Sequence, residues 1–206
     1  MTTIVHFLRH GEVHNPEGIL YGRLPGYSLS GLGVAMAERI AEWAVDRDIK
    51  AVHASPLIRA QETAAPIAAQ LGLTVTTDAR LIEASNIFEG KRFSVGDGVL
   101  RRPSAWRHLW NPFTPSWGEP YKEQVDRMLE AAQAARLAAS GHEAICVSHQ
   151  LPIWILRSSL EGRRFLHDPR RRECTLASLT SIVFNVDGQV TDVRYAEPAR
   201  DLLRKK

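Results

Sequence analysis

The chain has two cysteines in 206 residues, no apolar run of membrane-spanning length, and no repeat or low-complexity linker. Each scarcity excludes something. Two thiols make no disulfide framework for a chain this long, and a reduced cytoplasmic setting is expected. A membrane span needs roughly 18 consecutive apolar residues, so no membrane partner is expected. Met1-Thr2-Thr3 has no basic stretch before the first apolar run, which argues against a secretory signal. Without linkers or repeats, residues 1–206 read as a single domain large enough to bury a core.

The formal net charge is +3, and arginine carries most of the basic charge. Its clusters are Arg163-Arg164, Arg170-Arg171-Arg172 and Arg101-Arg102. Acidic residues are interleaved throughout and no aromatic-basic stacking pattern occurs, so nucleic acid is not expected. The clusters at 163–172 read as solvated, with steering of an anionic substrate as the alternative.

Strand and helix signals alternate along the chain. Residues 3–8 read as a strand and 31–47 as a helix with Ser30 as N-cap. Residues 50–54 read as a strand, 57–71 as a helix ending at Gly72, and 73–76 as a strand. Residues 84–120 hold many Gly, Pro and Trp and read as a long irregular segment, with one short helix around Ser104 to Trp110. A loop of that length is usually functional. A helix over 121–139 and a strand over 144–147 ending in Ser148-His149 come next. A helix follows at 152–161, with Pro152 in its first turn. Strands near 177–186 and 189–195 join at an Asp187-Gly188 turn. The alternation predicts an α/β three-layer sandwich with a mainly parallel central sheet flanked by helices. Cys146 and His53 fall in strands and read as packed core groups.

In such a sheet, ligands sit outside the carboxyl ends of the strands. Leu8-Arg9-His10-Gly11-Glu12 ends the first strand, and Gly11 permits a sharp turn or a close approach. Arg59 lies in the first turns of the helix after the second strand, in Ser55-Pro56-Leu57-Ile58-Arg59. Glu83 follows the third strand, and His149 ends the fourth. Two arginines, two histidines and a carboxylate converge on one edge, a set suited to phosphate. His10 and His14 are four apart, but no His-Glu-x-x-His helix surrounds them, so no metal pair is expected.

The pattern resembles the histidine phosphatase superfamily, which includes the cofactor-dependent phosphoglycerate mutases. The resemblance spans almost the whole chain. It rests on Leu8-Arg9-His10-Gly11-Glu12, on Leu29-Ser30 with Gly33, on Ser55-Pro56-Leu57, Arg59-Ala60 and Thr63-Ala64, on Leu81 with Glu83, and on Val147-Ser148-His149. It implies that His10 is a nucleophile that becomes a phosphohistidine. It implies further that Arg9, Arg59 and His149 hold the phosphoryl oxygens, and that Glu83 is the general acid and then the base. Such chemistry needs no metal or other cofactor. Glu89, in Phe88-Glu89-Gly90, competes with Glu83 for the acid role. Arg23 and Asn15 are candidate substrate contacts, with a solvated loop arginine as the other reading of Arg23.

The chain departs from the family pattern in several places. Pro16 stands where relatives carry asparagine, one position beyond Asn15, and Gln150 replaces a glycine. The segment after Glu83 is one residue short and lacks its first glycine. Gly118-Glu119-Pro120 stands for Gly-Glu-Ser. These departures touch substrate fit and the placement of the acid, not the central set. Three activities follow: a phosphatase acting on small phosphomonoesters, a phosphoglycerate mutase, or a non-catalytic phosphate-binding protein. The shorter chain favours hydrolysis, while a cover formed by 84–120 would favour transfer by excluding water. The sequence leaves the oligomeric state open, a homodimer being one option.

Overall fold

The computed structural model describes residues 1–92 and 118–203. Six strands form one sheet: β1 (Thr3–Arg9), β2 (Ile49–Ala54), β3 (Val75–Thr77), β4 (Glu143–Ser148), β5 (Leu179–Phe184) and β6 (Val190–Ala196). Among the described residues the α-helices are α1 (Gly31–Ala44), α2 (Ile58–Leu71), α3 (Tyr121–Ala138) and α4 (Gln150–Leu160). The spatial order is β3-β2-β4-β1-β5-β6. β3, β2, β4 and β1 pair in parallel, while β5 and β6 are antiparallel to their neighbours. This is the α/β sandwich with a mainly parallel sheet that the sequence predicts.

Alternation along the central strands builds the two cores. Leu8, Ile145 and Val147 face α1 and α2, where they meet Met36, Ile40, Ala60 and Ile67. Val5, Phe7, Ala144 and Cys146 face the other way and meet Met128, Ala132, Ile153 and Leu156 of α3 and α4. Strands covered on both sides read as continuous apolar runs, which is why 3–8 and 144–147 stand out in the sequence. His53 is buried, as expected of a packed histidine.

Boundaries moved where local chemistry decides them. Helix α1 stops at Ala44, three residues before the predicted end, because the Val45 amide bonds Glu42 and the Arg47 amide bonds Ala44, closing a tight turn. Helix α4 starts at Gln150 because His149 takes the extended N-cap conformation. Pro152 then falls within the first turn, where no intrahelical donor is required. The Ser30 hydroxyl caps α1, accepting from the Gly33 amide at 3.0 Å. The expected helix at 104–110 lies outside the described residues, as do Trp106, Trp110 and Trp117.

Two glycines allow the chain after β1 to lie against the start of α1. A Cβ on Gly11 would meet the Gly33 carbonyl oxygen at 2.5 Å, and one on Gly33 would meet the Glu12 carbonyl oxygen at 2.0 Å. Both obstacles are backbone. Gly31, one turn position away, has open space around it. Gly33→Ala is therefore expected to destabilise the fold by about 1–3 kcal/mol, and Gly31→Ala to leave stability unchanged or raise it by up to about 1 kcal/mol. Urea denaturation of the two variants checks this contrast. Equal losses would contradict it.

Candidate active site

Parallel pairing delivers the site. Arg9 stands opposite Ser148 in the β1–β4 register, and the His10 amide donates to the Ser148 carbonyl at 3.1 Å. His10 and His149 thus leave adjacent strands side by side, with ring centroids 5.1 Å apart. The Ser55 amide bonds the Val147 carbonyl, bringing the start of α2 to the same edge. β5 runs in the opposite direction, so its first residue pairs with Leu8 and the loop before it arrives there too. In that loop Ala177 adopts φ 53, a conformation that is uncommon outside glycine, with its amide toward the His10 carbonyl.

The cleft at this edge has a volume of about 520 Å³. Arg9, His10 and Glu83 line its inner end. Arg59 and His149 lie fully buried behind them. The His10 ring is held by its Nδ1, 2.7 Å from the Gly11 carbonyl oxygen. A carbonyl only accepts, so Nδ1 carries the proton and Nε2 keeps its lone pair. Burial holds the His10 pKa well below its usual value, and the Arg9 and Arg59 charges push the same way. His149 Nε2 lies 2.8 Å from Ser55 Oγ, and its Nδ1 lies 3.3 Å from an Arg59 nitrogen. Arg59 only donates, so His149 donates through Nε2 to the serine. Burial, then His10 and Arg59, keep this ring neutral as well.

The arginines are held from their ends. An Arg9 Nη donates to the Cys174 carbonyl at 2.7 Å, and an Arg59 Nη to the Gly22 carbonyl at 2.6 Å. The Arg59 guanidinium also lies 4.7 Å from the centre of the Tyr21 ring. The Nε of both arginines is buried without a hydrogen-bond partner among the described residues. A buried donor left unmatched is costly, so both groups suit an incoming anion.

Glu83 stands on the cleft wall, and Glu89 does not. Glu89 instead packs beneath Gly22 and accepts from the Asn86 amide at 3.1 Å, bracing the turn. The Glu83 carboxyl accepts from the Ala84 amide at 2.8 Å. Burial raises its pKa above the usual carboxylate value, against the opposing pull of that hydrogen bond and of Arg59, Arg9 and Arg172. Three side chains fix the backbone leading to it. Arg127 donates to the Arg80 carbonyl at 2.5 Å, Ser148 to the Leu81 carbonyl at 2.7 Å, and Arg23 to the Glu83 carbonyl at 2.6 Å. Glu119 ties two of these together, pairing with Arg127 at 2.6 Å and Arg23 at 2.9 Å.

Arg23 is half-exposed and off the cleft lining, with its guanidinium engaged by the Glu83 carbonyl and the Glu119 carboxylate. Asn15 is also off the lining: its side-chain amide closes a loop on the Ile19 amide and carbonyl. The arginine run divides. Arg170 pairs with Asp168 at the surface and Arg171 is exposed, but Arg172 turns inward and lines the cleft. The reading of Arg172 as solvated is thus corrected. A short turn over Pro169–Arg171, capped by Asp168, sends its neighbours outward. The Asp168-Pro169 pair was the available signal for that turn. Tyr21, Tyr121 and His167 also line the cleft, and no sequence pattern marked them. Among the described residues, no group of three or more His, Cys, Asp or Glu could hold a metal, and no helix is long and apolar enough to cross a membrane.

A model of the histidine phosphatase superfamily (branch 1) matches residues 5–196. The chain belongs to this superfamily. It is 59% identical over 197 residues to the uncharacterized protein Rv0525 of Mycobacterium tuberculosis (strain ATCC 25618 / H37Rv), covering 96% of this chain and 97% of that one. It is 29% identical over 182 residues to the probable phosphoglycerate mutase GpmB of Yersinia pestis (strain Pestoides F), covering 84% and 82%. Among solved structures it is similar to phosphoserine phosphatase from Entamoeba histolytica, in complex with 3-phosphoglyceric acid. That likeness has TM-score 0.76 and 18% identity, covers 98% of this chain and 100% of that one, and speaks for the fold alone.

Two predictions follow from this geometry. Glu119→Gln leaves Arg23 and Arg127 short of a counter-charge, so a stability loss of about 1–3 kcal/mol is expected. Denaturant unfolding measures it, and a loss under ~0.5 kcal/mol would contradict the clamp. The second concerns pH. Burial lowers the pKa of His10, His149, His53 and His167 below the usual 6.5. The unfolded chain takes up protons that these folded rings refuse, so their contribution is complete above 6.5 and is lost as pH falls from there toward the lower folded values. Imidazole nitrogen shifts should show His10 and His149 neutral at pH 6, with Nδ1 of His10 protonated. Half-protonated rings at that pH would contradict the assignment.

Proposed function

We propose that this superfamily member is a phosphomonoester hydrolase that works through a phosphohistidine on His10. The observation that carries the reading is the fixed tautomer of His10: its Nδ1 bond to the Gly11 carbonyl leaves a neutral Nε2 lone pair on a cleft wall among cations. Nε2 attacks phosphorus in line while the bond to the leaving oxygen breaks. The unmatched Nε groups of Arg9 and Arg59 receive phosphoryl oxygens, with His149 beside them. Glu83 in its acid form gives its proton to the leaving oxygen, a role favoured by its raised pKa. The resulting carboxylate then takes a proton from water as that water attacks the phosphohistidine. The phosphorus–nitrogen bond breaks, and Glu83 and His10 return to their starting states with release of inorganic phosphate. Neither step calls on a metal or cofactor.

The relative named as a probable phosphoglycerate mutase supports a second reading, transfer of the phosphoryl group to a bound acid instead of water. Exclusion of water would decide between the two; most of the segment expected to provide it, 84–120, lies outside the described residues. The substrate on either reading is a small phosphorylated anion. Buried free thiols at Cys146 and Cys174 suit a reducing, cytoplasmic setting.

The test is phosphate release from a panel of phosphomonoesters that includes 3-phosphoglycerate, with products identified. Hydrolysis by the wild type that disappears in His10→Ala is expected. Glu83→Gln should cut kcat/KM on alkyl esters by about 10²–10⁴-fold, and kcat/KM on p-nitrophenyl phosphate, whose leaving group needs no proton, much less. Isomerisation of 3-phosphoglycerate without phosphate release would replace the hydrolase by a mutase. No turnover of any ester would leave a binding protein.

A further inference from the structure

Among the described residues, three guanidinium groups stand at the cleft, and the proposed reaction uses two of them. The third belongs to Arg172, half-buried on the wall that also holds Gln150, Leu166, His167 and Pro169. Its Nε donates to His167 Nε2 at 2.7 Å, and one Nη donates to Gln150 Oε1 at 3.3 Å. Both acceptors are neutral. His167 donates through Nδ1 to the Phe165 carbonyl, which leaves Nε2 as its acceptor, and burial lowers its pKa. Arg172 is therefore aimed by neutral groups.

No carboxylate makes an ion pair with Arg172 among the described residues, and Glu83 acts on it only at longer range. Arg23, Arg80, Arg127, Arg157 and Arg170 each pair with a carboxylate. Among the described residues, Arg9, Arg59 and Arg172 have no acidic partner within 4.0 Å. Two acidic groups among the described residues are on the cleft lining: Glu119 is already paired with Arg23 and Arg127, and burial favours the neutral form of Glu83. A partly desolvated cation without a counter-charge is unfavourable by itself. A phosphoryl group offers enough charge for Arg9 and Arg59, and Arg172 remains. The cleft also has room beyond a phosphate: about 520 Å³, with Ile19, Leu20, Phe88, Tyr121 and Leu151 on its walls. That volume suits a small organic ligand.

We propose that Arg172 anchors a second anionic group, a carboxylate or a second phosphate, carried by the alcohol portion of the substrate. This deepens the hydrolase reading and rests on it. The substrate is then a phosphomonoester with a second negative charge, and Arg172 discriminates it from neutral phosphomonoesters. Gln150 and His167 act through Arg172 by fixing its direction.

Binding of non-hydrolysable phosphonates tests this apart from catalysis. Calorimetry would compare propylphosphonate, 3-phosphonopropionate and propane-1,3-bisphosphonate on the wild type, Arg172→Gln and Arg172→Lys. The wild type should bind at least one doubly anionic ligand ten-fold or more tighter than propylphosphonate, and the tighter of the two identifies the group. Arg172→Gln should remove that gain while changing propylphosphonate affinity less than three-fold, and Arg172→Lys should retain part of it. Equal wild-type affinities, equal weakening of all three ligands by Arg172→Gln, or binding of none would overturn the proposal. His10-dependent phosphate release is read separately, so the hydrolase reading can fail with this selectivity intact, and the reverse.

Discussion

Everything at the cleft depends on the register of two parallel strands. The His10 amide continues the β1–β4 pairing one residue beyond β1 by bonding the Ser148 carbonyl. A slip of one residue would turn every side chain of β1 to the opposite face. Phe7 and Leu8 would exchange cores, and His10 would move one place along the edge, away from His149. The burial of Val5, Phe7 and Leu8 on their own sides resists that slip. Core packing is thus what holds the two imidazoles together at the sheet edge.

That edge gathers positive charge the fold does not neutralise. Arg9, Arg59 and Arg172 are held in place by carbonyls, a neutral imidazole and an amide. The two central histidines stay neutral through burial and the repulsion of the arginines. Such a cluster disfavours the folded state, and its surroundings are correspondingly rigid. The glycine contact between Gly11 and Gly33 leaves no slack after β1. The Arg23, Glu119 and Arg127 network holds the short turn that leads to Glu83 by its carbonyls. Local cost offset by over-determined surroundings is expected where a site is preorganised for an anion.

The sequence was most legible where burial imposes a pattern. Ile4 to Leu8 and Ala144 to Val147 are apolar because both faces are covered, and the residues after them had to reach the carboxyl edge. From that logic came the placement of Arg9, His10, Arg59, Glu83 and His149. The loops obey no periodicity, and there the reading was incomplete. Three adjacent arginines at 170–172 look alike in sequence, yet a capped turn separates the inward Arg172 from its neighbours. Arg23 was expected either on substrate or in solvent, because its partners Glu83 and Glu119 lie 60 and 96 residues away. Glu83 is favoured over Glu89 in the sequence, and the two differ in place: Glu83 lines the cleft, and Glu89 lies beneath Gly22.

The central claim is that His10 is the group that takes up phosphate. The most direct measurement is an alkaline quench during turnover of a phosphomonoester, followed by mass spectrometry of the proteolysed chain. The account predicts a phosphoryl group on the peptide bearing His10, at higher occupancy in Glu83→Gln when the ester is p-nitrophenyl phosphate, because its first step needs no proton and attack by water is slowed. Turnover without any phosphoryl group on His10, or with one on another residue, would contradict it.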